Sequence, residues 1–368
     1  MILERHIKSA ILLFTIVILL LGCDSDQETY VTGALLYRNP GNLEQFTIIR
    51  DSIEVRVPYN ADIGEKNTSL AGTYKNVSAF SVYKFSKPGQ SDSLVSATIT
   101  FSLNGVWRDG PLAFVIYNTT TDWEDSTDLD PGLFSDPGSK ISEIDISSEV
   151  DSLISKLTFE IDKEYIKSWS DFGAILLENT HFGGGMVNMS SDNSSSSPML
   201  TLIKSISGVM DTSTVRSREG TYYIETDVEP GKNIVADGAA SVLVLDVGLA
   251  YFNPSPTSIH RCILNLTVTE SIITGSSMPI LVQLLTREFT TIEDATTDYG
   301  SSIDLDIVPG VSTYSIDISR FIEAWHNFHT INYGILIKPF YSNNSPNYIV
   351  IEPADSLVIE YTTLPEVE

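Results

Sequence analysis

The sequence predicts an all-β protein made of two tandem antiparallel β-sandwich domains, each carrying a short helix. Three observations predict it. Short segments of alternating apolar and polar residues recur along the chain, clusters of Gly, Pro, Asn, Asp and Ser separate them, and the second half repeats the order of the first. Hydrophobic residues make up 42% and aromatics 10% of the 368 residues, enough to bury a core and to exclude a disordered acidic tail. The 48 Asp and Glu against 22 Lys and Arg give a formal charge of −26. Such a surface repels phosphate, so nucleic acid is not an expected partner.

The elements follow in chain order. Arg5 and Lys8 precede an apolar run from Ala10 to Leu21, which is shorter than the roughly 20 residues a membrane-spanning helix needs. It reads as an export signal covering residues 1–22. Leu20-Leu21-Gly22-Cys23 resembles the bacterial lipobox, and the resemblance implies cleavage before Cys23 and lipid attachment to it. Removing those 22 of 368 residues leaves 346, and losing Glu4, Arg5 and Lys8 takes the charge from −26 to −27. Residues 23–30 form an acidic tether. An Asp after the cysteine resembles an inner-membrane retention signal in enterobacterial lipoproteins, whereas an acidic stretch resembles a surface-export signal in other bacterial groups. The outer membrane or cell surface is the expected address, with the membrane itself as the first partner. Cys262 is then the lone thiol, on one face of an alternating stretch with Leu264 and Leu266, and is expected to be a core residue.

Ser96–Leu103, Leu112–Tyr117, Leu243–Leu249, Ile280–Leu285 and Ser356–Tyr361 read as strands. Phe159-Glu160-Ile161-Asp162, Tyr165, Ile166, Trp169 and then Gly173 to Leu177 form an order that returns later. Its second copy is Tyr314-Ser315-Ile316-Asp317, Phe321, Ile322, Trp325 and then Gly334 to Ile337. In each copy the aspartate can cap a short helix whose aromatic and tryptophan share a face, and a buried strand follows. Trp169 and Trp325 are therefore expected in the cores. The division is placed in the polar stretch from Ser205 to Gly220, giving a first domain at 31–208 and a second at 209–368.

This order, closed by a last strand such as Leu357-Val358-Ile359-Glu360-Tyr361, resembles the DNRLRE-type domain, a β-sandwich module of secreted proteins related to carbohydrate-binding modules. The resemblance covers nearly all of the mature chain. It implies a jelly-roll-like sandwich associated with polysaccharide-active or cell-surface proteins. Where many members have an arginine-containing strand, this chain has Val77 to Tyr83 and Ser241 to Leu245, so no role resting on that arginine carries over.

No Gly-x-Ser-x-Gly elbow, P-loop or dinucleotide fingerprint occurs, and catalysis is not expected. His181 to Gly185 reads as a loop, and His326 with His329 as a helix end. Glu124-Asp125 and Glu293-Asp294 hold matching places in the two copies, which fits turns. The loop with Asp128, Asp130 and Asp136 has no counterpart in the second copy. Its oxygen-rich turns make it a candidate for a structural Ca²⁺ ion. Trp107, in the stretch Asn104-Gly105-Val106-Trp107-Arg108-Asp109-Gly110, has a polar setting that reads as a hairpin turn. It is the candidate sugar platform, with Arg108 and Asp109 as hydrogen-bond partners. The expected function is non-catalytic binding of a glycan or cell-surface polysaccharide. The competing expectation is a structural or assembly lipoprotein whose partners are envelope proteins.

Overall fold

The structure is a computed structural model that describes residues 43–49, 53–56, 67–88, 93–119, 138–148, 154–169, 174–179, 184–228, 231–238, 241–249, 252, 257–289, 295–297, 302–326, 331–340, 345–353 and 356–363. The strands are β1 (Glu44–Ile49), β2 (Ile53–Arg56), β3 (Thr68–Tyr74), β4 (Val77–Phe85), β5 (Leu94–Arg108), β6 (Ala113–Asn118), β7 (Lys140–Asp145) and β8 (Lys156–Ile161). Helix α1 (Lys163–Ser168) precedes β9 (Ala174–Asn179), β10 (Gly185–Ser190), β11 (Met199–Ile206) and β12 (Val209–Thr226). The chain continues through β13 (Ile234–Ala236), β14 (Leu243–Val247), β15 (Thr257–Ile272), β16 (Met278–Leu284), β17 (Ile303–Ile307) and β18 (Thr313–Asp317). It closes with α2 (Ser319–His326), β19 (Ile335–Pro339), β20 (Tyr348–Pro353) and β21 (Ser356–Thr363).

All strand pairs are antiparallel, and the two copies use the same pairing plan. In the first, one ten-stranded sheet turns over at the β3–β4 pair, so that β11-β5-β10-β3, with β8 also on β5, forms one face and β7-β6-β9-β4 forms the other. In the second, β21-β15-β20-β13 with β18 on β15 faces β17-β16-β19-β14. The fold is therefore the expected all-β sandwich type. Each pair of sheets closes on its own apolar core: Phe85, Phe101, Phe114, Phe159 and Trp169 in the first, and Leu264, Ile280, Phe321, Trp325 and Ile335 in the second. The helices begin as expected. The Asp162 carboxylate accepts from the Glu164 N–H at 2.8 Å and the Asp317 carboxylate from the Ser319 N–H at 2.9 Å. Tyr165 and Trp169 meet edge to face, 5.4 Å between centroids, as residues four apart on a helix should. Cys262 is fully buried.

Strand pairing does not sort the chain at residues 208 and 209, the division the polar stretch suggested. Those residues sit in the turn of the β11–β12 hairpin, where Ser207 and Gly208 take positive φ values of 54° and 82°. The first half of β12 pairs with β11 and its second half crosses to β4, so the opening strand of the second copy completes the first sandwich. The reverse also holds. β1 pairs with β21, and β2 pairs with β14, so the opening strands of the first copy complete the second sandwich. Together β1 and β2 take the place on the second sandwich that β12 alone takes on the first. Polar residues and glycine mark a tight turn as well as a linker, and here they mark the turn.

The exchange draws the sandwiches together over a third apolar cluster. Leu70, Val77, Ala79, Met186 and Tyr222 come from elements of the first, and Ala236, Ile272, Tyr348 and Val350 from the second. No helix among the described residues is long and apolar enough to cross a membrane.

Candidate functional site

Beside this shared cluster lies a cleft of about 400 Å³ to which both sandwiches contribute. The first supplies Thr68 from β3, Asn104, Gly105 and Trp107 from β5, and Asn188 from β10. The second supplies Asp237, the Ser277-Met278-Pro279 segment, Pro339, Ser345 and Asn347.

Trp107 reaches the cleft from within a strand. Gly105 pairs with Asn188 and Leu103 with Met189, which leaves Asn104 as the additional residue of a β-bulge. The Asn-Gly pair that signalled a turn thus kinks β5 instead, and the strand runs on through Trp107, which pairs with Met186. Trp107 is half-buried against the inter-sandwich cluster. Gly105 lies under the ring: a Cβ there would stand 3.5 Å from the indole. Strand alternation sends Val106 into the first core and Arg108 to the side opposite Trp107. Arg108 Nη1 donates to the Ser147 carbonyl at 2.9 Å, and exposed Asp109 donates its N–H to the Gly184 carbonyl at 2.7 Å. Of the three expected platform residues, only Trp107 lines the cleft.

The polar side of the cleft holds two sets of hydrogen bonds, one from each sandwich. Asn104 Nδ2 donates to Asn188 Oδ1 at 3.1 Å, and Asn188 is buried in β10. Ser345 Oγ donates to Asp237 Oδ2 at 2.5 Å, and the Asp237 N–H donates to the Asn347 carbonyl at 3.0 Å. Asn347 Oδ1 accepts from the Thr274 N–H at 2.7 Å and from Thr274 Oγ1 at 2.9 Å. Asp237 and Ser345 are both buried, so the low local dielectric strengthens these bonds and holds the groups in place. The site therefore combines an indole with amides, hydroxyls and one carboxylate. Such a set can stack on an apolar ring face and exchange hydrogen bonds with hydroxyl groups.

The sequence offered no sign of Asp237, Asn188, Ser345 or Asn347 as partners of Trp107. They sit in ordinary turn-rich or strand contexts; β5–β10 pairing brings Asn188 beside Trp107, and the packing of one copy on the other brings Asp237, Ser345 and Asn347. Cys23, the acidic loop with Asp128, Asp130 and Asp136, both carboxylate pairs, His181 and His329 lie outside the described residues. His326 packs its ring 4.8 Å from that of Phe252. Among the described residues, no group of three or more His, Cys, Asp or Glu side chains is placed to hold a metal ion. No family model matches the sequence, and no curated protein matches it.

Proposed function

We propose that the protein is an exported lipoprotein, held to the membrane through Cys23, that binds glycan in the cleft between its two sandwiches. The observation that carries this reading is the half-buried Trp107 with Gly105 beneath it and the Asn104, Asn188, Asp237, Ser345 and Asn347 groups around it. A flat ring offers the apolar face that a pyranose stacks on, and pre-arranged amides and a carboxylate match its hydroxyls. The DNRLRE-type likeness of both copies supports the same reading. Binding of this kind needs no catalytic group. Affinity electrophoresis against soluble polysaccharides tests it, with Trp107→Ala and Asn104→Ala as variants. The expected result is retardation of the wild-type protein by at least one polymer and its loss in Trp107→Ala. Asn104 is exposed, so its replacement is expected to leave the fold intact and to weaken retardation, which provides the second reading of the cleft. Absence of retardation by any polymer sinks the proposal.

A second reading, an assembly role in the envelope, draws on the β11–β12 hairpin tip. Ile206, Val209 and Met210 are 54%, 68% and 63% exposed there, an apolar tip suited to a protein neighbour. Crosslinking in whole cells through a photoreactive residue at position 209 tests it, and crosslinks that survive Trp107→Ala would favour it over the glycan reading.

A further inference from the structure

We infer that the cleft selects neutral glycans and rejects polymers that carry uronate or sulfate groups. The inference rests on the glycan reading above and adds the class of sugar. Among the described residues that line the cleft, the charged side chain is Asp237, and none is Lys, Arg or His. Asp237 is 6% exposed and stands in a bond with Ser345, so its charge lies within the cleft wall and not out in solvent. The neighbouring basic group, Arg108, leaves on the far side of β5 toward the Ser147 carbonyl. A sugar hydroxyl entering this site can donate to the carboxylate and accept from an amide, and it loses little on leaving water. A uronate carboxylate faces the opposite balance. It gives up its hydration, finds no cation among the described lining residues to pair with, and meets a carboxylate already fixed in place.

The charge of −26 on the whole chain also repels polyanions, so the test must separate a local effect from a global one. Global repulsion is screened by salt, with a Debye length of about 4 Å near 0.5 M, whereas a partly enclosed group is screened much less. Affinity electrophoresis is therefore run at low salt and at about 0.5 M NaCl. One panel holds neutral polymers (dextran, laminarin, glucomannan, galactan) and the other acidic polymers (polygalacturonate, alginate, a sulfated galactan). The expected result is preference for a neutral polymer by about tenfold or more at both salt concentrations, equivalent to about 1.4 kcal/mol. In Asp237→Asn the preference narrows, and Trp107→Ala loses the neutral polymer.

Equal or stronger retardation by an acidic polymer, lost in Trp107→Ala, overturns the selectivity and leaves glycan binding standing. A preference that vanishes at high salt also overturns it, because the whole-chain charge then explains the discrimination. Failure of every polymer overturns both readings. The salt comparison uses wild-type protein alone, so the inference stays falsifiable even if Asp237→Asn does not fold.

Discussion

In the first sandwich Lys84 stands opposite Ala174, the first residue of β9, and opposite Glu219 on the exchanged strand β12. In the second, the residue opposite Ile335, the first residue of β19, is Leu245, which faces the core, whereas Lys84 lies between the core residues Tyr83 and Phe85 and faces away from it. Beside its exchanged strand the first sandwich thus carries an ion pair on the face away from the core, and the second carries the aliphatic Leu245 on the core face. Lys84 Nζ lies 3.0 Å from Glu219 Oε2, with its side chain only 4% exposed. The two exchanged strands are thus flanked by different chemistry on different faces. A charge sealed under an edge strand needs its counter-charge, and an apolar pair needs none. The exchanged strands differ in continuity as well. β12 is a single strand of 18 residues, while β1 and β2 share its role with 6 and 4.

The largest expected effect comes from deleting residues 43–56. Ile48 on β1 is part of the second core, and Tyr361 on β21 donates to Glu44 at 2.9 Å. Losing both strands strips the edges of two sheets, and the cost is about 5 kcal/mol or more, comparable to the whole stability of a typical domain. Limited proteolysis should then cut within residues 257–363 while the first sandwich persists. A synthetic peptide covering 43–56 should restore protection by adding the strands back. Unchanged proteolysis of the deleted protein would mean that the second sandwich does not depend on the exchange.

Next in size is the latch. Glu219→Gln takes the Glu219 counter-charge away from buried Lys84 and should cost roughly 2 to 3 kcal/mol, at the lower end for a buried pair because Glu219 is partly exposed. Replacing both charges with aliphatic residues, Lys84→Leu and Glu219→Val together, should recover stability to within about 1 kcal/mol of wild type. Urea unfolding measures both, and a double variant worse than the single one would break the comparison.

The inter-sandwich surface has its own matched pair. Trp107 faces Met186 across β5 and β10, and Ile272 faces Tyr348 across β15 and β20, all within or against one cluster. Ile272→Ala should cost about 2 kcal/mol through the cavity it leaves, with glycan retardation kept. Trp107→Ala should do the reverse, with a smaller stability loss and a binding loss of about tenfold or more. Thermal melting beside affinity electrophoresis separates the two. If both variants lose binding in proportion to stability, Trp107 is a packing residue and not a platform.

Much of the fold was legible because its signals are local. Alternation located strands, a capping aspartate located each helix, and the repeated aromatic spacing located Trp169 and Trp325 in the cores, where they are 3% and 6% exposed. The strand exchange was not legible, since alternation fixes which face of a strand is buried and says nothing about which sheet it joins. The cleft fared similarly. Trp107 stood out by composition, but Asn-Gly codes equally for a turn and a bulge, and the pairing with β10 decides between them. Arg108 was assigned with Trp107 by adjacency, whereas neighbours in a strand point to opposite faces.

The smallest effect at neutral pH concerns Cys262, and it distinguishes the two sandwiches in alkali. Burial, with a further contribution from nearby Asp317, pushes its thiol from the ordinary 9.0 up to about 12. An acid whose folded pKa lies above its unfolded value keeps its proton longer in the folded state. The unfolded chain releases the proton first, so its contribution to stability is intact below pH 9 and is lost as pH rises from about 9 toward 12. Buried Tyr83 in the first sandwich is pushed upward from 10.0, chiefly by burial, so its loss begins a unit later. Alkaline titration followed by denaturant unfolding should therefore weaken the second sandwich before the first. Cys262→Ala should remove the earlier step at the cost of a small cavity. Iodoacetamide at pH 8 should label Cys262 only once the protein is unfolded. Rapid labelling of the folded protein would show a thiol accessible to solvent, and the order of the two alkaline steps would no longer follow.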